Sequence, residues 1–94
     1  MLFALICHDK PNSLALRKEK RPAHLSYLEG HRDQLVYAGP LMGEDGQTPV
    51  GSLIVLDVPD RTAAEAFAAG DPYARAGLFE TVDIRATKQV FPGY

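Results

Sequence analysis

The sequence predicts an α+β fold whose elements follow the order β-α-β-β-α-β. Apolar runs typical of strands open and close the chain, and two more are joined by a loop rich in glycine and acidic residues, as in a hairpin. Helical patterns fill the remaining intervals. This order is that of the ferredoxin-like arrangement, in which both helices cover one face of a four-stranded antiparallel sheet.

The first predicted strand covers Met1–Asp9, an apolar run that becomes polar only at its end. A turn at Pro11–Ser13 precedes a helix that begins near Leu14. Pro22 has no N–H and disfavours the α conformation of the residue before it, so we expect the helix to break, kink or restart there. From Pro22 the helical pattern continues to about Asp33.

The second and third strands form the predicted hairpin. Leu35–Ala38 is the second strand and is expected to end at Gly39-Pro40. The loop Met42–Pro49 leads into a third strand at Val50–Val58, whose alternate residues point to opposite faces. Ser52 lies on one of these faces, inside the strand.

The second helix is predicted to follow Pro59 and to end at Gly70 in the C′ position. Asp60 is one possible N-cap, and a capping box made by Thr62 and Glu65 is the alternative. The alanine-rich segment between these limits has strong helix propensity and a small-residue face suited to packing on a sheet.

A short helical turn or a loop is predicted at Pro72–Gly77, and the last strand at Leu78 to about Val90. Pro92-Gly93-Tyr94 is predicted to be a loose tail. Two helices cover only one face of such a sheet, yet the first and third strands are apolar on both faces. We therefore expect a homodimer in which the uncovered sheet faces pack together.

Composition restricts the class of protein. A length of 94 residues predicts a single domain over residues 1–94. The net charge of −2 argues against nucleic acid as the main partner. The basic stretch Arg17–Arg21 is typical of a solvated helix face, and the alternative is that Arg17 or Arg21 reaches an anionic ligand.

The single cysteine, Cys7, excludes an internal disulfide and suits a reducing compartment. It lies in an apolar run, which favours a buried, inert thiol. No stretch resembles a membrane span or a signal peptide, so we expect a cytoplasmic protein without a membrane partner.

His24 and Asp71 are the candidate catalytic residues. Histidine exchanges protons near neutral pH, and a carboxylate bound to one ring nitrogen can fix its orientation. Alone, His24 is more typical of a helix surface or a satisfied core position than of a catalytic site, and Asp71 before Pro72 is typical of an N-cap. If both helices lie on one sheet face, their ends can meet and bring the pair together.

Other polar residues are weaker candidates. His8 and Asp9 point to opposite faces of a strand, so they cannot serve one ligand together, although Asp9 can line a cleft. A metal site from His8, His24 and His31 lacks ligand spacing. The sequence contains no phosphate loop, dinucleotide fingerprint or CxxC pair, so no cofactor is expected.

Ser52 has no visible base that would make it a nucleophile, and a polar strand residue or a hydrogen bond to a ligand is favoured. Gly39-Pro40 most simply ends a strand, but glycine also lets a ligand approach the backbone closely. Tyr73 is either a packing residue or a source of a hydroxyl in a pocket.

Several motifs in their order resemble the YciI-like proteins of the dimeric α+β barrel superfamily over nearly the whole chain. They are His8-Asp9, Arg21-Pro22-Ala23-His24-Leu25, Ala38-Gly39-Pro40, Gly51-Ser52, Asp71-Pro72-Tyr73 and Ala76-Gly77-Leu78. The resemblance implies a ferredoxin-like fold that dimerises through its sheets, with His24 and Asp71 in the positions of the family's proposed catalytic pair. The family is similar to muconolactone isomerases and looks related to an enzyme that removes chloride from a chlorinated hydroxyquinol.

Three hypotheses follow, of which the third is a protein-interaction module that would keep an exposed apolar patch after dimerisation. The first is a cofactor-independent lyase, isomerase or hydrolase for a small oxygenated or aromatic substrate, with His24 as general acid or base and Asp71 orienting it. Arg21, Ser52 or Tyr73 would position an oxyanion or carboxylate, with Asp9, Gly39 and Pro40 as further pocket residues. The second is a dimeric ligand-binding or stress-responsive protein that uses the same pocket without catalysis.

Overall fold

The protein forms a four-stranded antiparallel sheet with its helices packed on one face, in a computed structural model that describes residues 1–92. Gly93 and Tyr94 of the predicted tail lie outside the described residues. The strand order is β2-β3-β1-β4, which confirms the predicted fold class. The elements are β1 Leu2–Asp9, α1 Leu14–Gly30, β2 Leu35–Met42, β3 Pro49–Asp57, α2 Arg61–Gly70, α3 Pro72–Arg75 and β4 Phe79–Thr87.

The core lies between the central strands and the helices. Leu5 of β1 pairs with Ile54 of β3 on one side and with Ile84 of β4 on the other, so all three point to the helical face. Ala64 and Phe67 of α2 pack against these strand residues and complete the core on the helical side of the sheet. The buried apolar side chains of the core cluster are Phe3, Leu5, Cys7, Ile54, Leu56, Val58, Ala64 and Phe67.

The opposite face of the sheet is apolar at its centre. Ile6 and Leu53 are paired across β1 and β3, as are Ala4 and Val55, and all four are only partly buried. On the adjoining edge strand, Tyr37 pairs with Val55 and is 51% exposed. The alternation expected from the sequence is therefore present, with the helices on one face only.

Helix α1 runs through Pro22 without the expected break and ends at Gly30 rather than near Asp33. Pro22 is exposed, so the carbonyl left without a helical partner can bind water. Tertiary packing also holds both halves, because α1 buries Arg17 before the proline and His24 after it. A short 3-10 turn at Arg32–Gln34 then leads into β2.

Strand β2 continues through Gly39 and Pro40 to Met42, beyond its expected end. It lies at the edge of the sheet and pairs only with β3 among the described strands. A proline without an N–H is tolerated in an edge strand, where one row of backbone groups has no neighbouring strand. At the other edge, β4 ends at Thr87 rather than near Val90.

Asp60 caps α2, since its side chain accepts a hydrogen bond of 2.9 Å from the backbone N–H of Ala63. The alternative capping box of Thr62 and Glu65 is wrong, because the helix already begins at Arg61.

Gly70 is the last residue of α2 rather than a left-handed C′ glycine. Glycine is needed at this position for steric reasons, since a Cβ there would lie 2.5 Å from the hydroxyl oxygen of Tyr27. That hydroxyl donates a hydrogen bond of 2.9 Å to the Phe67 carbonyl and joins α1 to α2. Within residues 1–92, none of the helices is both long and apolar enough to cross a membrane.

Candidate active site

His24 and Asp71 meet at the point where α1 passes the start of α3. His24 Nδ1 and Asp71 Oδ1 are 2.8 Å apart, although the residues are separated by 47 positions in the chain. His24 is 8% exposed and Asp71 is 2% exposed. The fold therefore brings the two candidate catalytic residues into direct contact in a largely buried position.

Asp71 has two partners for one oxygen atom. Its Oδ1 also accepts a hydrogen bond of 3.0 Å from the backbone N–H of Tyr73, which caps α3. From the sequence, the N-cap role of Asp71 and its contact with His24 are alternative expectations, whereas in the structure Asp71 has both. The cap holds the carboxylate in place, so that Nδ1 meets an oriented acceptor.

The contact determines which ring nitrogen of His24 can exchange a proton. A carboxylate oxygen only accepts hydrogen bonds, so the neutral ring carries its proton on Nδ1. Nε2 makes no hydrogen bond within residues 1–92, and no fully buried side-chain nitrogen or oxygen there lacks a partner. Nε2 is therefore accessible and free to accept a proton.

A second buried pair lies beside the first. Arg17 Nε and Nη2 donate hydrogen bonds of 2.7 and 3.0 Å to the two carboxylate oxygens of Asp9. Arg17 Nη2 also donates a hydrogen bond of 2.9 Å to Ser52 Oγ. Burial disfavours the charge of Arg17, but the hydrogen bonds and charge of Asp9 outweigh it and raise the Arg17 pKa.

Tyr73 contacts both pairs. Its ring is stacked on the His24 imidazole, with centroids 4.0 Å apart and planes 18° apart. The Arg17 guanidinium carbon lies 4.5 Å from the centre of the same ring. Burial raises the pKa of the Tyr73 hydroxyl, against the effect of Arg17 and Arg21, so this hydroxyl is neutral at physiological pH.

A cavity of about 310 Å³ opens beside His24, between α1 and the strands β2 and β3. Its volume is within the range of small-molecule sites, about 300 to 1,000 Å³. Its lining residues are Arg17, Lys18, Arg21, His24, Leu25, Leu28, Ala38, Gly39, Pro40, Pro49, Ser52 and Tyr73.

Most of the predicted pocket residues therefore share one cavity: Arg21, His24, Gly39, Pro40, Ser52 and Tyr73. Asp9 and Asp71 do not line it. They lie behind the wall, where Asp9 holds Arg17 and Asp71 holds His24.

Arg17 is the cavity residue to which the sequence analysis gave too little weight. Positions 17, 21, 24 and 28 are spaced by four, three and four residues, which places Arg17, Arg21, His24 and Leu28 on one helical stripe. That spacing is a signal that Arg17 faces the same cavity as His24. Its pairing with Asp9 and Ser52 depends on long-range contacts that no local pattern contains.

The remaining titratable residues lie apart from this cavity. His8 is exposed at the end of β1, and His31 Nδ1 lies 2.8 Å from the Tyr27 carbonyl oxygen. Within residues 1–92, no group of three or more His, Cys, Asp or Glu side chains is placed to hold a metal ion. Burial, followed by the charge of Asp71, raises the pKa of the Cys7 thiol to about 12.

Comparison with known proteins assigns the chain to a family. The YCII-related domain matches residues 1–88. The chain belongs to the YciI-like family. Protein YciI of Escherichia coli O6:H1 is 37% identical over 97% of this chain and the whole of the relative. An uncharacterised protein from Haemophilus influenzae is 32% identical, again over 97% of this chain and its own full length.

Solved structures place the YciI-like fold among the dimeric α+β barrels. The enzyme 5-chloro-2-hydroxyhydroquinone dehydrochlorinase (TftG) of Burkholderia phenoliruptrix AC1100, in complex with 2,5-dihydroxybenzoquinone, has a TM-score of 0.85 and 30% identity. The alignment covers 94% of each chain. A candidate antibiotic biosynthesis monooxygenase from Bacteroides thetaiotaomicron has a TM-score of 0.60 at 10% identity, over 100% of this chain and 92% of its own, and shares the fold alone.

Proposed function

We propose that the protein is a cofactor-independent enzyme of the lyase, isomerase or hydrolase type that transfers protons on a small oxygenated or aromatic molecule. The observation that carries the proposal is the geometry of His24. Its Nδ1 lies 2.8 Å from the Asp71 carboxylate, and its accessible Nε2 belongs to a side chain that lines the cavity. This is the arrangement that general acid–base catalysis by histidine requires.

In the proposed reaction, Nε2 of His24 removes a proton from the bound molecule. Asp71 stabilises the resulting imidazolium through Nδ1–H, and the ring then returns the proton to another atom of the substrate or to a leaving group. A positioned acid–base group of this kind contributes about 10² to 10⁴ in rate. Arg21, Ser52 and Tyr73 are placed to hold substrate oxygen atoms, because all three line the same cavity.

Similarity to TftG supports this type of chemistry. That protein is a dehydrochlorinase bound to 2,5-dihydroxybenzoquinone, an oxygenated ring. Our chain shares its fold at a TM-score of 0.85. A ring of that size is compatible with a cavity of about 310 Å³.

The proposal is tested by chloride release from 5-chloro-2-hydroxyhydroquinone and by deuterium uptake from solvent into hydroxylated aromatic compounds and lactones. We expect wild-type protein to catalyse one of these reactions. His24→Asn should lower its rate by about 10² to 10⁴, because the general base is lost. Asp71→Asn keeps a residue able to cap α3 and should also slow the reaction, because the imidazolium loses its charged partner.

His8→Asn is the matched control, since His8 is exposed at the end of β1, and it should retain full activity. Tm values for all variants separate a loss of catalysis from a loss of folding. Equal rates for wild type and His24→Asn, or no turnover of any of these compounds, would count against an acid–base enzyme.

The second candidate is a ligand-binding dimer without catalytic activity. The observation that favours it is that Asp71 caps α3 and His24 stacks on Tyr73, so both members of the pair also have structural roles. A protein of this type would bind a small molecule in the cavity with similar affinity in wild type and His24→Asn, and would turn over none.

We infer a homodimer as the functional form, with the cytoplasm as its location. The dimer is supported by the partly buried apolar residues on the sheet face opposite the helices, where Ile6 pairs with Leu53. A single cysteine, Cys7, suits a reducing compartment.

A further inference from the structure

The cavity beside His24 is positively charged. Arg17, Lys18 and Arg21 line it, and no aspartate or glutamate within residues 1–92 is among its lining residues. The carboxylates of Asp9 and Asp71 are hydrogen-bonded to Arg17 and His24 and do not line the cavity themselves. A molecule in the cavity therefore faces cationic groups and no anionic ones.

The three cationic side chains differ in whether an acidic residue of the protein neutralises their charge. Arg17 is only 5% exposed, and its Nε and Nη2 both contact the Asp9 carboxylate, so its charge is balanced inside the protein. Lys18 and Arg21 are exposed and form no ion pair within residues 1–92. Their charges are available to a ligand at the cavity mouth.

Ser52 provides a directed donor deeper in the same cavity. It is 3% exposed, and its Oγ accepts a hydrogen bond of 2.9 Å from Arg17 Nη2. Since a guanidinium nitrogen only donates, the serine hydroxyl keeps its own proton for another acceptor. None of the described residues accepts that proton, and a ligand oxygen in the cavity is in a position to do so.

The rest of the cavity wall is apolar. Leu25 and Leu28 of α1 face Ala38 and Pro40 of β2 across it. A fully polar ion would gain little from such walls, whereas an aromatic or aliphatic ring would bury surface against them.

We infer that the cavity binds a small organic anion, whose charged oxygens lie near Ser52, Lys18 and Arg21 and whose apolar ring lies against Leu25 and Leu28. Ring carboxylates and acidic phenolates both have this chemistry. The inference rests on the proposed function, because it names the substrate class of the same site. Arg17 acts as a positioning residue that orients the Ser52 hydroxyl.

The test compares a charged probe with a neutral probe of the same shape. Benzoate and benzamide, and 2,5-dihydroxybenzoquinone as a phenolate-type probe, are titrated into wild-type protein and followed by amide chemical shifts and calorimetry. We expect one of the two anions to shift the amide signals of the cavity residues and to bind about tenfold more tightly than benzamide, a difference of about 1.4 kcal/mol that one charge contact can supply. Preference for benzoate identifies a carboxylate site and preference for the quinone a phenolate site.

Variants identify the groups responsible. The pair Lys18→Gln and Arg21→Gln, made together, should weaken anion binding about tenfold and reduce its dependence on salt. Ser52→Ala should weaken it further, whereas Ser26→Ala, on the exposed part of α1, should not. Lys88→Gln alters charge beyond the end of β4 and should leave binding unchanged.

Equal binding of benzoate and benzamide, equal effects of the cavity and control variants, or no binding of either anion would each overturn the inference. Binding is also measured on His24→Asn, which keeps Lys18, Arg21 and Ser52. If anions bind but no proton transfer is found, the proposed function fails and the inference survives. If the protein turns over neutral molecules without preference for anions, the inference of an anion site fails and the proposed function survives.

Discussion

At the scale of single residues, the site consists of two buried acid–base pairs that differ in what they leave free. His24 gives one ring nitrogen to Asp71 and keeps the other accessible. Arg17 uses Nε and Nη2 to bind Asp9 and Ser52, and the proton of the Ser52 hydroxyl remains for a ligand. The first pair is suited to exchanging protons and the second to holding a fixed charge.

The Arg17–Asp9 pair predicts a strong asymmetry between single and double variants. Both side chains are 6% exposed. Arg17→Met leaves the Asp9 carboxylate buried without its partner and should lower the free energy of unfolding by about 3 to 5 kcal/mol. Adding Asp9→Leu to Arg17→Met removes that stranded charge and should restore much of the loss, as measured by urea denaturation.

Arg32→Met is the matched control, because Arg32 pairs with Glu29 on the protein surface and its loss should change stability little. Additive losses in the Arg17 and Asp9 variants would show that the two side chains are not energetically coupled.

At the scale of elements, the β2–β3 connection is stabilised by one aspartate. Asp45 Oδ1 accepts hydrogen bonds of 2.9 Å from the backbone N–H groups of Gln47 and Thr48. Its Oδ2 accepts one of 2.6 Å from the Thr48 hydroxyl. These bonds, the Thr48 hydroxyl first, lower the Asp45 pKa to about 2. The loop thus forms a compact turn at the end of the hairpin next to the cavity strands.

This turn should lose its support in acid. A carboxylate with a lowered pKa stabilises the folded state above its ordinary pKa, and the contribution disappears as pH falls through about 2. The difference in Tm between wild type and Asp45→Asn should therefore be largest above about pH 4 and shrink toward about pH 2. Thr48→Val removes the hydroxyl that contributes most to the lowered Asp45 pKa. The Asp45 pKa should therefore rise, and the pH-dependent change in the chemical shift of the Gln47 amide, which donates to Asp45, should occur at higher pH. A Tm difference that does not vary with pH would contradict this assignment.

Most element positions could be predicted from local pattern, and two of the errors share a cause. Pro22 and Pro40 are local signals against regular structure, yet α1 and β2 both continue through them. The structure tolerates both prolines for a tertiary reason. Pro22 is exposed, so the carbonyl that loses its helical partner can bind water, and Pro40 is in an edge strand, where one row of backbone groups has no neighbouring strand. Exposure and edge position depend on the tertiary fold and are not visible in a short segment.

At the scale of the whole molecule, the sheet has one face covered by helices and one face partly open. Val55 lies at the centre of the open face, paired with Ala4 on one side and Tyr37 on the other. The sequence predicted this alternation, because period-two patterning needs no long-range information. It also supplied His24 and Asp71 as candidates, but their contact across 47 positions required the packing of α1 beside α3.

The open face predicts a dimer that a single charge can disrupt. Wild-type protein at micromolar concentration should have twice the mass of the chain by light scattering. Val55→Asp places a carboxylate at the centre of the expected interface and should yield monomers, because an unpaired buried charge is strongly unfavourable. Val90→Asp is the control, since Val90 is 74% exposed and lies beyond β4. A monomeric wild-type protein would refute the sheet-to-sheet dimer.

The shared oxygen of Asp71 has an evolutionary consequence. Because the same atom ends a backbone turn and orients the imidazole, drift in α3 cannot alter local folding without also disturbing His24. Homologues without catalytic activity would still be selected to retain a hydrogen-bond acceptor at position 71. An aspartate at position 71 of a distant homologue therefore indicates enzymatic activity only when a histidine is also present at position 24.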